Sequence, residues 1–278
     1  MRKIPQQEIE QLLSGVNGTF GLYIEDLSSG EIFKHNPEHV FPAASVIKIP
    51  MLALLLRDVA EGRVEWEKPH PITPSNRVGG TGILCELDEY YQPTVATMAK
   101  LMIVLSDNTA TNEIMDIIGL DRFAAFCEEM GLNQTRLMRK MLDFEAIRQG
   151  KNNYISAQDA GNLLSRIAKG TFVSPEISQT IISIMEKQQC RNKLPALLPA
   201  VPSWASEEDR RNLKPNTVLV ANKTGDLTNI QHDVGIFTLP GGRRYIIAAF
   251  SEKLSSDAEG IEAVAKLSQL VYYAQSQA

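Results

Sequence analysis

The feature that most limits this fold is where its two hydrophobic periods fall along the chain. Strand period appears near both ends, and helical period fills the middle. Phe20, Leu22 and Ile24 alternate with Gly21, Tyr23 and Glu25, which predicts a strand. Ser28-Ser29-Gly30 then makes a turn into a second strand over Glu31–His35. Strand period returns at Val218–Lys223, Asp233–Leu239 and Arg244–Phe250, the last two joined by Pro240-Gly241-Gly242. Helices are predicted at Pro5–Leu13, Ser45–Glu61, Thr94–Leu105, Ala110–Ile118, Asp121–Met130, Ser156–Ala168, Pro175–Gln188 and Ala258–Tyr273. Five strands split between the two ends can share one core only if the ends meet. The expected architecture is therefore α/β (α+β): a five-stranded antiparallel sheet flanked by the terminal helices, plus an all-helical lobe. The whole chain, 1–278, would be a single domain with a discontinuous sheet lobe, 1–48 plus 211–278, and a helical lobe, 49–210. Ligands favour the seam between such lobes.

Local chemistry sharpens this outline. The helix from Ser45 carries Ile49, Leu52, Leu55, Leu56 and Val59 on one side, and Pro50 within it predicts kinked or tightened early turns. Lys68–Gly82, rich in proline and glycine, reads as a loop laid over something else. Lys193–Pro215 reads as a long surface connection.

Composition excludes several functions. The 278 residues carry a formal charge of -5 and 6% aromatics, so neither a basic footprint nor a stacking platform for nucleic acid is present. The longest nearly apolar run, Ile49–Leu56, is too short to span a bilayer. No apolar segment follows the opening MRKIPQQEIEQLLSG, so a cytoplasmic protein is expected; a secreted or periplasmic chain that has lost its leader is the alternative. Cys85, Cys127 and Cys190 make no disulfide framework, although one pair stays open. His35 and His39 flank Pro37 on a loop, and no phosphate-cradling glycine loop follows a strand, so no metal and no cofactor are expected. The expected partner is a small-molecule substrate, and the oligomeric state is open.

Three short motifs carry chemistry. In Ser45-Val46-Ile47-Lys48, a helical turn puts Lys48 on the face of Ser45. A lysine kept neutral by a dry pocket can take the hydroxyl proton; a helix cap beside a solvated lysine is the plain alternative. In Ser106-Asp107-Asn108, Asp107 or Asn108 caps the next helix, or Ser106 relays a proton while Asn108 orders the lysine. Lys223-Thr224-Gly225 ends a strand with a glycine bulge, or binds an anion with Gly225 admitting substrate close to the backbone. The N–H groups of Ser45 and Asp226 could then hold an oxyanion.

Together, in this order, the three motifs resemble the S-x-x-K, S-D-N and K-T-G set of the class A beta-lactamases and penicillin-binding proteins. The likeness covers nearly the whole chain. It implies a serine hydrolase acting through a Ser45 acyl-enzyme on a beta-lactam, while the absence of the family's loop glutamate argues for slow release. The alternatives are a peptidase, amidase or esterase on a small acyl substrate, or a non-catalytic penicillin-binding or sensory module. It also implies Lys48 as activator, Ser106 as proton shuttle, Asn108 on the substrate amide, and Lys223 and Thr224 on the substrate carboxylate.

Departures from that family are informative. Thr135-Arg136-Leu137-Met138-Arg139-Lys140-Met141 resembles the family's loop, but Met141 stands where a glutamate would activate the deacylating water. Asp143 and Glu145 are the nearest carboxylates that could replace it. Asn153 stands as a weak counterpart of the loop asparagine. Asp226 replaces a small or neutral residue, and His232 falls near the usual substrate-binding arginine, so carboxylate recognition is expected to be weaker or different. Tyr90 or Tyr91 is a candidate for the aromatic wall of the cleft.

Overall fold

The computed structural model describes residues 3–276. In chain order the elements are α1 (Gln6–Ser14), β1 (Thr19–Asp26), β2 (Ile32–His35), β3 (Phe41–Pro42), α2 (Lys48–Ala60), α3 (Val95–Val104), α4 (Asn108–Ile118) and α5 (Leu120–Met130). Then come α6 (Phe144–Arg148), β4 (Tyr154–Ile155), α7 (Ala157–Ala168), α8 (Pro175–Met185), α9 (Glu207–Arg211), β5 (Leu219–Leu227), β6 (Ile230–Thr238), β7 (Arg244–Glu252) and α10 (Asp257–Ser276). The main sheet has five antiparallel strands in the order β2-β1-β7-β6-β5, so the two ends of the chain meet at the β1–β7 pair. This is the α/β architecture read from the sequence. The outermost residues of the expected sheet lobe, 1–2 and 277–278, lie outside the described residues.

Strand alternation sorts the sheet into two cores. Phe20, Leu22 and Ile24 of β1, with Tyr245, Ile247 and Ala249 of β7, pack with residues of α1 and α10. Tyr23, Ile246, Ala248 and Phe250 point the other way, into the larger core shared with α2 to α5, α7 and α8. Burial on both faces explains why β7 reads Tyr-Ile-Ile-Ala-Ala-Phe with no polar interruption.

Helix α2 is the hub of the second core. Every residue from Lys48 to Leu56 is buried, so the single apolar face expected from the spacing is in fact an all-round buried surface. Pro50 sets where this helix begins. It lacks an N–H, and only the first turn of an α-helix leaves N–H groups unpaired. Ala44–Ile47 therefore winds as a tighter 3-10 turn, and the α-helix starts at Lys48 with Pro50 in its first turn. Ser45 sits on that tight turn, behind Ala44 at a strained φ of 44°.

The short pair β3–β4 had no readable signal, being two residues on each side. It ties the segment before Ser45 to the loop before α7. The Lys68–Gly82 loop lies over α4, where buried Glu113 accepts from Thr73 N (2.6 Å) and Asn76 Nδ2 (3.0 Å) and meets His70 Nε2 at 3.0 Å. The expected surface connection from Lys193 instead starts inside the protein: Lys193 and Leu194 are fully buried, and Leu194 N donates to Asp233.

Helix α7 crosses the sheet at Gly161, where a Cβ would stand 2.3 Å from the Tyr23 ring. Gly161→Ala is expected to lower stability by about 1–3 kcal/mol through overpacking, read as a lower urea midpoint at unchanged slope.

Candidate active site

The three motifs converge. Lys48 Nζ donates to Ser106 O (2.7 Å), Ser106 Oγ (3.0 Å) and Asn108 Oδ1 (3.0 Å). Ser106 Oγ donates to Ser45 Oγ at 2.9 Å and also accepts from Lys223 Nζ at 3.1 Å. A continuous hydrogen-bond path thus runs from Ser45 through Ser106 to both lysines. Lys48 and Lys223 are fully buried.

Their burial sets their charge. Desolvation, and then the nearby Lys223, hold the Lys48 pKa well below the ordinary lysine range. Desolvation lowers Lys223 to about 8. Three oxygen acceptors suit the Lys48 ammonium, while burial and the second cation oppose it, so the group gives up a proton easily.

Each anchor has a local cause. Ser106 has a left-handed φ of 56°, and its carbonyl is gripped by Lys48 and by Thr81 Oγ1 at 2.7 Å. Asp107 caps α4 through Ala110 N (2.9 Å), and its other oxygen accepts from Ile83 N (2.7 Å) and Leu84 N (2.8 Å). Gly82 leaves the room: a Cβ there would stand 2.2 Å from that carboxylate. Asn108 Nδ2 donates to Gly79 O at 3.0 Å, which joins the loop to the lysine acceptor. Gly225 serves the Ser45 turn: a Cβ there would lie 3.1 Å from Ala44 Cβ and 3.3 Å from Ser45 N. Its smallness lets β5 approach the backbone of Ser45. Thr224 beside it is buried, and its carbonyl accepts from Lys223 Nζ at 2.9 Å.

Above these groups lies a cleft of about 270 Å³, lined by Ser45, Asn108, Arg139, Met141, Leu142, Phe144, Asp226 and their neighbours. Met141 is held there by Asn112, whose Oδ1 accepts from Met141 N at 2.7 Å. Asn153 braces the same loop, accepting from Met138 N (2.8 Å) and Arg139 N (3.2 Å), and its carbonyl accepts from Ala43 N. Among the described residues lining the cleft, Asp226 supplies the one carboxylate.

Several expected site residues stand elsewhere. Asp143 caps α6 through Ala146 N at 2.9 Å, and Glu145 is exposed and paired with Arg148; neither lines the cleft, because a short helix turns them outward. His232 is a core histidine. Its Nε2 donates to Pro42 O (2.9 Å), its Nδ1 accepts from Ser251 N (3.1 Å), and it packs against Phe41 and Phe250, so no ring nitrogen is left for a substrate anion. Burial lowers its pKa to about 4. It does not pair with Asp233, whose carboxylate takes Asn222 Nδ2 and Leu194 N. Tyr90 and Tyr91 are exposed rather than in the cleft. Two residues escaped the sequence reading. Thr81 lay in a loop with no pattern to mark it. Lys193, fully buried, donates to Asp226 Oδ1 at 2.5 Å, a partnership across 33 positions that no local signal announces.

Among the described residues, no group of three or more His, Cys, Asp or Glu side chains could hold a metal ion, and no helix is long and apolar enough to cross a membrane.

Comparisons with known proteins agree with this geometry. A family model described as the beta-lactamase enzyme family matches residues 4–275. The extended-spectrum beta-lactamase PER-1 of Pseudomonas aeruginosa is 23% identical, over 96% of this chain and 86% of that protein. The solved structure of PBP-A superposes with a TM-score of 0.84 at 30% identity, covering 98% of this chain and 96% of that one, and a variant of PBP-A is an acyl-enzyme complex with penicillin G. A beta-lactamase from Sphaerobacter thermophilus DSM 20745 gives 0.85 at 26%, covering 99% of each chain.

The β6 neighbours His232 and Asp233 make opposite demands on pH. His232 titrates near 6.5 unfolded and about 4 folded, so its contribution is present above 6.5 and lost as pH falls to 4, on the order of 3 kcal/mol. Desolvation raises Asp233 from 3.8 to about 6, so its contribution is largest below 3.8 and lost as pH rises through 6. Asp233→Asn should therefore steepen the loss of stability between pH 6.5 and 4, and His232→Gln should flatten it, as read from urea midpoints.

Proposed function

The chain belongs to the beta-lactamase enzyme family and is a serine hydrolase of that type, and from this premise we propose that it acylates Ser45 and releases the acyl group slowly. The observation that carries the proposal is the path from Ser45 Oγ through Ser106 Oγ to a fully buried Lys48. Ser45 Oγ attacks the carbonyl carbon of a lactam, amide or ester. Its proton passes through the Ser106 hydroxyl to neutral Lys48. The backbone N–H groups of Ser45 and Asp226, which flank the close approach at Gly225, take the oxyanion. As the C–N or C–O bond breaks, the leaving group receives the proton back through Ser106. Asn108 orders Lys48 and the Gly79 loop, and Lys223 with Thr224 forms the polar end of the site.

Release needs a water activated by a base. Met141 occupies the loop position facing Ser45, and a thioether takes no proton from water at neutral pH. That favours a site that acylates readily and deacylates poorly. The same first half suits a peptidase, amidase or esterase whose acyl group is passed to something more nucleophilic than unactivated water.

The test is intact mass followed over time with benzylpenicillin. A persistent adduct on the wild type and none on Ser45→Ala is the expected result. Met141→Glu places a carboxylate in the cleft and should accelerate loss of the adduct by about 100-fold. An adduct that forms and vanishes within seconds on the wild type would refute slow release. No adduct at all would refute beta-lactam acylation.

A further inference from the structure

The one carboxylate lining the cleft, among the described residues, already has a cation behind it. Lys193 is fully buried, so its ammonium requires a close partner. Asp233 is committed to Asn222 and Leu194 N, and Asp226 is the group that meets Lys193 Nζ, at 2.5 Å. Asp226 is itself 52% exposed and lines the cleft, so one side of its carboxylate faces whatever enters. It follows directly on Gly225, three residues after Lys223 on β5. A substrate anion drawn toward Lys223 therefore meets a fixed negative charge first.

We infer that Asp226 is a specificity residue that fills the anion subsite of this cleft from within, so that the enzyme selects acyl substrates neutral or cationic at that end and resists carboxylates. The inference rests on the acyl-enzyme reading above. Two physical costs enforce it. A substrate carboxylate that leaves the Lys193–Asp226 pair intact stands beside a like charge. One that displaces Asp226 breaks an ion pair whose cation is fully buried. A neutral or cationic group bears neither cost. The opposite wall, with Met141, Leu142 and Phe144, offers apolar surface for the acyl side chain.

The experiment compares acylation rates by benzylpenicillin and by its methyl ester, which differ in the carboxylate alone, using intact mass. The quantity read is the acid-to-ester rate ratio, which is insensitive to changes that slow both probes equally. Asp226→Asn should raise that ratio by about tenfold, because the like charge is gone and the Lys193 charge is no longer neutralised. Asp226→Glu should keep the wild-type ratio. Adding Lys193→Met to Asp226→Asn should keep a gain over wild type, because the like charge is still gone, and should also relieve any folding defect from an unpaired lysine. A ratio in Asp226→Asn within twofold of wild type overturns the inference while leaving the acyl-enzyme intact, and so does a gain that vanishes on loss of Lys193, which would trace it to the unpaired lysine alone. No adduct with either probe on any variant overturns the acyl-enzyme reading and this inference with it.

Discussion

Two lysines buried within reach of one serine hydroxyl are the constraint from which the rest of the site follows. Ser106 Oγ accepts from Lys48 and Lys223, and both ammonium groups are shut away from water. Such an arrangement is costly unless oxygen acceptors surround it and the charges can fall. The surroundings supply both. Ser106 O and Asn108 Oδ1 receive Lys48, Thr224 O receives Lys223, burial weakens the proton affinity of both lysines, and Lys223 weakens that of Lys48 further. The acceptors are held by further bonds: Thr81 on Ser106 O, Gly79 on Asn108, and Asp107 on the loop between. The left-handed backbone at Ser106 persists because these contacts leave it no other conformation.

What could be read from the sequence depended on whether a residue's partner was local. β1 and β7 announced themselves because alternation is a property of adjacent residues, and each face of the sheet found its own core. The Ser45–Lys48, Ser106–Asn108 and Lys223–Gly225 groups were legible as motifs, since their spacing is short. The roles of His232, Asp143 and Glu145 were not. A histidine near an expected binding position looks alike in sequence whether its nitrogens face a ligand or Pro42 O and Ser251 N. Two carboxylates near an empty catalytic position look like substitutes until a short helix turns one into a cap and the other toward Arg148. Lys193 was hidden for the same reason: its partner is supplied by the fold, and its own segment has the composition of a surface loop. The all-round burial of α2 was partly visible in the run Ile49–Leu56, but a spacing argument looks for one face, and a central helix has none to spare.

The loop around Met141 separates two chemical tasks that a hydrolase must join. The half proposed to acylate is assembled from the turn before α2, the start of α4 and β5. The loop is well fixed, by Asn112 on Met141 and by Asn153 on Met138 and Arg139, so Met141 is a held position and not a slack one. A well-braced loop that presents a thioether and apolar neighbours to the cleft offers no base for a water, which supports the proposed slow release. Physical order in this loop and absence of a base on its cleft face are therefore compatible, and together they support the proposed acyl retention.

The tight turn at Ser45 and the strand at Gly225 complete the argument from the other side. Pro50 forces the α-helix to begin late, which leaves Ser45 on a 3-10 turn with its backbone turned toward β5. Gly225 then allows contact between that turn and the strand, and the next residue necessarily comes to the cleft. A residue placed there by backbone geometry has a backbone role whatever its side chain, so the side chain is free to set selectivity. In this chain it is an aspartate joined to a buried lysine, and the polar end of the cleft is accordingly balanced in charge before any substrate arrives.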